Sequence, residues 1–257
     1  MLLIYDFLSL VFGSIGILAG HPKELAVTLV MALVFAGLSW YGAANYSKLW
    51  NLQFRTTATH AILCFVAAIL TFVFVVLFVS FKYTQEAAEF SIEAWGRVAV
   101  KDDVFLKSVA QRGYEEVKKL GIEDFSKPTL HGGYPIENPQ SKKKNAEVFA
   151  SSTIEYFIHK HPFLSKIVWT KETVPQHTVA RIVVSVIQFF ESNVDKLLPP
   201  ETEVQFAVDE LKPLLREGAI RVVPIARGII VALFLLVQLL PFGLIGWAAW
   251  RDLKVTV

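Results

Sequence analysis

The chain has a single cysteine, Cys64, which sits inside an apolar run, so the charged part of the sequence contains no thiol. Disulfides are excluded, and with them any zinc site built on thiolates. Charge is missing as well: residues 25–47, 61–81 and 228–250 contain no Asp, Glu, Lys or Arg. Each stretch is long enough to cross a hydrocarbon core of roughly 30 Å as a helix. Phosphate-binding motifs are absent, since neither Gly-x-x-x-x-Gly-Lys nor Gly-x-Gly-x-x-Gly occurs, and ATP-driven or NAD chemistry would need another subunit. No Gly-x-Ser-x-Gly element supplies an exposed serine nucleophile.

What is present suits a membrane protein. Hydrophobic residues make up 54% of the chain and charged residues 19%, below the roughly 25% charged of an ordinary soluble domain. Twenty of the 25 Lys+Arg and twenty of the 23 Asp+Glu fall between residues 82 and 227, so that segment has no net charge. Nucleic acid is thereby excluded as a partner, because phosphate binding needs a basic excess or a basic face. Lys142, Lys143 and Lys144 form the one basic run, expected to be solvated loop. The segment also has no Asn-x-Ser/Thr sequon; the sole one, Asn45-Tyr46-Ser47, lies elsewhere. A large loop ahead of a last span resembles the tetraspanins, but their loop rests on paired cysteines and that family is excluded. A bacterial inner-membrane protein is the better match.

The N-terminus requires its own decision. Residues 2–20 are apolar apart from Tyr5, Asp6, Ser9 and Ser14, with no basic start and Ile17 where a signal-peptide cut would need a small residue. The segment reads as a retained, marginal first span, with a surface-lying or re-entrant helix as the alternative. Asp6, Ser9, Gly13, Gly16 and Gly20 follow at steps of three and four, which places them on one helical face open to close approach by a neighbouring helix. Asp6 then needs a partner, and Lys48, Arg55, Arg251 and Lys254 are the cations on its side of a four-span topology.

The expected fold class is an all-α polytopic membrane protein, with spans near 2–20, 25–47, 60–81 and 228–250, a helical extramembrane domain over 82–227, and a short tail over 251–257. Four spans put both termini on one side. Lys48 and Arg55 in the second loop and Arg251 and Lys254 in the tail outweigh Lys23 in the first turn, so the positive-inside rule makes that side cytoplasmic and the domain extracytoplasmic. Trp40, Tyr41, Trp50, Trp247 and Trp250 fall near the cytoplasmic interface, where amphipathic rings prefer to sit.

Within the domain, apolar spacing predicts helices over 86–100, 104–120, 145–160 and 176–198, the last stopped by Pro199-Pro200. Another starts at Thr202, whose spacing to Gln205 is that of a capping box, and Pro213 is expected to bend or end it. Residues 121–144, with Pro128, Gly132-Gly133, Pro135 and Pro139, read as a loop. His131, Gly132, Gly133, Tyr134 and the three lysines make it the candidate partner-binding element.

No catalytic or metal site is expected. His159 and His161 are two apart and point to different sides of a helix, without a third ligand. No His lies within a span to hold haem, and no cofactor is implied. Within the bilayer only Asp6 is ionisable, with Gln238 and Pro241 as weaker features of the last span. The expectation is therefore a structural or assembly subunit of a bacterial inner-membrane complex, such as secretion or conjugation machinery, docking membrane or periplasmic proteins through its helical domain. An oligomeric channel or transporter subunit, a homo-oligomer, and a sensor acting through a partner are the alternatives. The ending from Leu240-Pro241-Phe242-Gly243 to Arg251-Asp252-Leu253 resembles membrane proteins of conjugative elements over a short stretch only, and no family is assigned.

Overall fold

The computed structural model describes residues 2–49, 58–121, 139–169, 175–192 and 200–255. Among them every regular element is helical and no strand occurs. In chain order these are α1 (Leu2–Ala19), α2 (Pro22–Leu49), α3 (Ala58–Ser80) with a 3-10 turn (Phe81–Tyr83), α4 (Thr84–Ala99), α5 (Asp103–Lys118), α6 (Pro139–Lys160), α7 (Pro162–Val168), α8 (Pro175–Ser192) and α9 (Pro200–Val255). The helices divide into two compact units: 1–13 with 85–220, and 14–84 with 221–257.

The first unit is built around α6. Its buried side chains Phe149, Ile154 and Phe157 pack among α5, α7 and α8. α8 brings Thr178, Ile182, Val183, Val186 and Phe190, a stripe at helical spacing. The α9 segment of this unit buries Val204, Ala207, Val208, Leu211, Leu215 and Ala219. Two glycines permit its close approach. A Cβ on Gly96 of α4 would stand 2.6 Å from Val208 Cγ2, and one on Gly218 would run into the Ile167 carbonyl of α7. Ion pairs follow the same seams: Lys212 to Glu93 at 2.6 Å and Glu89 at 3.8 Å, Arg181 to Glu210 at 3.2 Å, and Arg112 to Glu155 at 2.9 Å.

The second unit holds the spans. Three stretches are long and apolar enough to cross a membrane, within Pro22–Asn45, Ala58–Ala99 and Glu201–Gly243. The first two supply α2 and α3, which pack along each other, and the third supplies the latter part of α9. Spans expected over 25–47, 60–81 and 228–250 thus correspond to helices. The stretch expected as a marginal span over 2–20 is a helix too, but a shorter apolar one, Ile4–Ala19, so that three helices among the described residues are long and apolar enough to cross.

Several other expectations change. α9 runs unbroken through Pro213, Pro224 and Pro241. A proline removes one backbone donor and clashes with the preceding turn, and here the packed face on either side of Pro213 sustains the helix. The expected loop over 121–144 is helical from Pro139 onward, so Lys142, Lys143 and Lys144 lie on α6. Lys143 is exposed, as expected, but Lys144 pairs with Glu116 of α5 at 3.6 Å and with Glu147 at 3.9 Å, and Lys142 stands 5.7 Å from the centre of the Phe190 ring of α8. His131, Gly132, Gly133 and Tyr134 lie outside the described residues, as does Arg55. The short helix α7 has no counterpart in the sequence reading, because seven residues are too few to show a period.

Candidate functional site

α1 is buried along one face, and it is not the face that the small residues outline. Asp6, Leu10, Ser14 and Leu18 are buried, at steps of four, whereas Ser9, Gly16 and Gly20 are exposed. Only Asp6 and Gly13 join the expected stripe to the packed one. A Cβ on Gly13 would come within 3.3 Å of the Ala87 Cβ on α4, while one on Gly16 would meet nothing. Glycine spacing permits approach, but leucines supply the buried area, and they set the rotation of the helix.

Asp6 is 3% exposed. The side chains of Lys48, Arg55, Arg251 and Lys254 lie outside the described residues, and both oxygens of Asp6 are held by other groups. His161 Nδ1 stands 2.8 Å from Oδ1, and the Phe163 amide donates to Oδ2 at 3.1 Å. A carboxylate only accepts, so the proton on this edge of the imidazole is carried by Nδ1. His161 is the N-cap position of α7, with Pro162 at the first helical position, and Asp6 therefore satisfies an amide that this helix start leaves open. Phe7 adds an edge-to-face contact with Phe163 at 5.6 Å.

Beside this pair opens a cleft of about 380 Å³, lined by α1, α4, α6 and α7. Tyr5, Phe90 and Val98 stand at its exposed rim; Asp6, Trp95 and Leu164 are buried in its wall. A second carboxylate, Asp102, closes the opposite end. Its Oδ1 accepts from the Val104 and Phe105 amides at the start of α5, and its Oδ2 accepts from the Tyr156 hydroxyl at 2.6 Å. Those bonds, with the Tyr156 hydroxyl first, hold the Asp102 carboxyl below the usual range, and burial together with Asp102 pushes the Tyr156 phenol up. Lys160 lies over the Tyr156 ring at 5.3 Å. The indole nitrogen of Trp95 is fully buried and has no hydrogen-bond partner among the described residues.

Both carboxylates are thus occupied by protein donors. Among the described residues no three His, Cys, Asp or Glu side chains converge as for a metal ion. His161, which the sequence shows only as one of two histidines without a third metal ligand, joins Asp6 at the edge of the cleft. The signal that would have found it was the unexplained charge at Asp6, sought only among cations on the other side.

The second unit has its own polar centre. Ser39 of α2 donates to Gln238 Oε1 at 2.7 Å, and Gln238 Nε2 donates to Thr71 Oγ1 of α3 at 2.6 Å. Thr71 spends its own proton on the Ala67 carbonyl at 2.7 Å. It can therefore only accept from Gln238, which fixes the orientation of the amide. One side chain ties three spans together. At one end of the bundle Glu24 receives Lys82 Nζ at 3.0 Å and the Tyr83 hydroxyl at 2.5 Å, while His21 stacks on Tyr83 at 5.1 Å. The start of α2 and the end of α3 share that end, and Arg227 of α9 lies nearby, 5.1 Å from the Phe78 ring.

No protein-family model, no curated protein and no solved structure matches this chain.

Proposed function

We propose that the chain is a non-catalytic docking subunit of a bacterial inner-membrane assembly, anchored by three spans and presenting its helical unit outside the cytoplasm. The observation that carries this reading is the cleft bounded by exposed Tyr5, Phe90 and Val98 above the hydrogen-bonded carboxylates of Asp6 and Asp102. Large apolar side chains on a rim, with ordered polar groups beneath, suit recognition of another protein's side chain.

The topology differs from the one that four spans imply. The end of α1, the start of α2, the end of α3 and Arg227 of α9 all lie at one end of the span bundle. Three helices among the described residues are long and apolar enough to cross and α1 is shorter, which supports three crossings with the N-terminus on the domain side. Lys48, Arg55, Arg251 and Lys254 then all fall on the opposite side, and the positive-inside rule makes it cytoplasmic, with the C-terminus there and the N-terminus on the other side. A solute path through one bundle is disfavoured, because the mid-span polar groups of Ser39, Gln238 and Thr71 satisfy one another.

Photo-crosslinking amino acids at Phe90 and Val98, compared with Val184 on α8, test the docking role in cells. Discrete adducts from the first two positions and none from Val184 are expected. Absence of adducts at all three, with normal expression, would remove the support for a docking cleft.

A further inference from the structure

Glu24, Lys82 and Arg227 each border a charge-free run, 25–47, 61–81 and 228–250 respectively. All three stand at the same end of the spans: Lys82 reaches Glu24, and Arg227 lies against Phe78, four residues before Lys82 on the chain. They mark one edge of the hydrocarbon layer. Two of them answer each other, since Lys82 Nζ donates to both oxygens of Glu24 at 3.0 Å and the Tyr83 hydroxyl donates to the same carboxylate. The third has no counterpart. Glu24 is the sole Asp or Glu in residues 14–84 and 221–250, and Arg227 makes no hydrogen bond or ion pair among the described residues. Its Nε is buried and its guanidinium carbon stands 5.1 Å from the centre of the Phe78 ring. The group is therefore held against α3, where a long basic side chain would otherwise extend its head into water.

We infer that Arg227 binds the phosphate of an anionic phospholipid, with Phe78 as the platform that orients the guanidinium. This rests on the three spans and not on the docking role. A guanidinium presents its N–H groups in a planar fork that matches two phosphate oxygens, and phosphates are the anions a bilayer supplies at the edge of its hydrocarbon layer. Basic side chains between membrane helices hold lipid headgroups by this chemistry. A lipid is favoured over a free phosphate because Phe78, Ile225 and Ile229, the apolar side chains nearest to Arg227 in space or on its helix, are exposed and offer acyl chains a surface beside the charge. An anionic headgroup is favoured over a zwitterionic one because the charge on Arg227 is uncompensated, and a choline would bring a second cation to it.

The experiment uses the full chain purified in detergent, mixed with equal amounts of phosphatidylglycerol and phosphatidylcholine of the same acyl chains, with bound lipid counted by native mass spectrometry. The wild-type chain should retain phosphatidylglycerol about fivefold over phosphatidylcholine. Arg227→Gln should lose that preference. Arg227→Lys should keep part of it, because the charge remains and the fork does not, and Phe78→Leu should weaken it by removing the platform alone; these two variants carry the comparison if Arg227→Gln does not fold. Arg221→Gln, at an exposed position outside the site, should keep it whole. Glycerol phosphate, which has the phosphate without the chains, should not displace the lipid. A preference undiminished in all three site variants would overturn the site, and an equal loss in Arg221→Gln would reduce it to surface charge and overturn it as well. Displacement by glycerol phosphate would assign the site to a soluble phosphate and overturn the lipid. Release of the chain from membranes by alkaline carbonate would remove the spans themselves, and the site with them.

Discussion

Asp6 and Gln238 show how few polar atoms organise this chain, because each satisfies partners from other elements in a place where water is scarce. Asp6→Ala leaves the Phe163 amide and His161 without their acceptor, and an orphaned buried donor costs about 1–3 kcal/mol. Asp6→Asn keeps an acceptor for the amide, and the expected loss is smaller; equal losses in denaturant titration of the full chain would show that the charge, not the acceptor, matters. Gln238→Leu removes both inter-span bonds. Such bonds average about 0.6 kcal/mol each in a membrane, so a loss of about 1 kcal/mol is expected in detergent unfolding, and an unchanged midpoint would mean that the clamp contributes nothing. Asp102 supplies the pH dependence. Its carboxyl is held low by Tyr156 and the Phe105 amide, so its contribution is fully present above the ordinary carboxylate range and is lost as pH falls through the depressed value. Asp102→Asn should flatten the acid limb of the stability profile below about pH 4. An acid limb unchanged in Asp102→Asn would place the effect elsewhere.

Among the elements, α9 and α1 depart most from what periodicity suggests. α9 continues through Pro213 because its packed face, Val204 to Ala219, flanks that residue within the first unit, and residue spacing alone carries no record of such a partner. Gly218 is where this helix meets the Ile167 carbonyl, so Gly218→Ala forces backbone apart and should destabilise by about 1–3 kcal/mol. A neutral Gly218→Ala in thermal unfolding would contradict that contact. The helices α4, α5 and α8, and the spans α2 and α3, were legible in the sequence because their apolar residues recur over many turns or run unbroken. Two features of α6 and α1 were not. The start of α6 at Pro139 lies in a proline- and lysine-rich stretch whose lysines act as braces to Glu116 and Phe190, a role that composition assigns to solvent. The rotation of α1 was misjudged because small residues at regular steps are conspicuous, whereas Leu10 and Leu18 look like any lipid-facing leucines.

For the whole molecule the central question is the number of crossings, and Asp6 links it to the candidate site. Four spans would put Lys48, Arg55, Arg251 and Lys254 on its side of the membrane, whereas its partner His161 lies on the helical unit. The cleft was invisible in the sequence for the same reason, since Asp6 and His161 are 155 residues apart and only the fold joins them. The most direct test is protease protection in sealed vesicles of defined orientation, with one epitope tag fused ahead of Met1 and another behind Val257. Three crossings predict that the N-terminal tag and the helical unit are cleaved from one face while the C-terminal tag is cleaved only from the other. Cleavage of both tags from the same face would contradict the account.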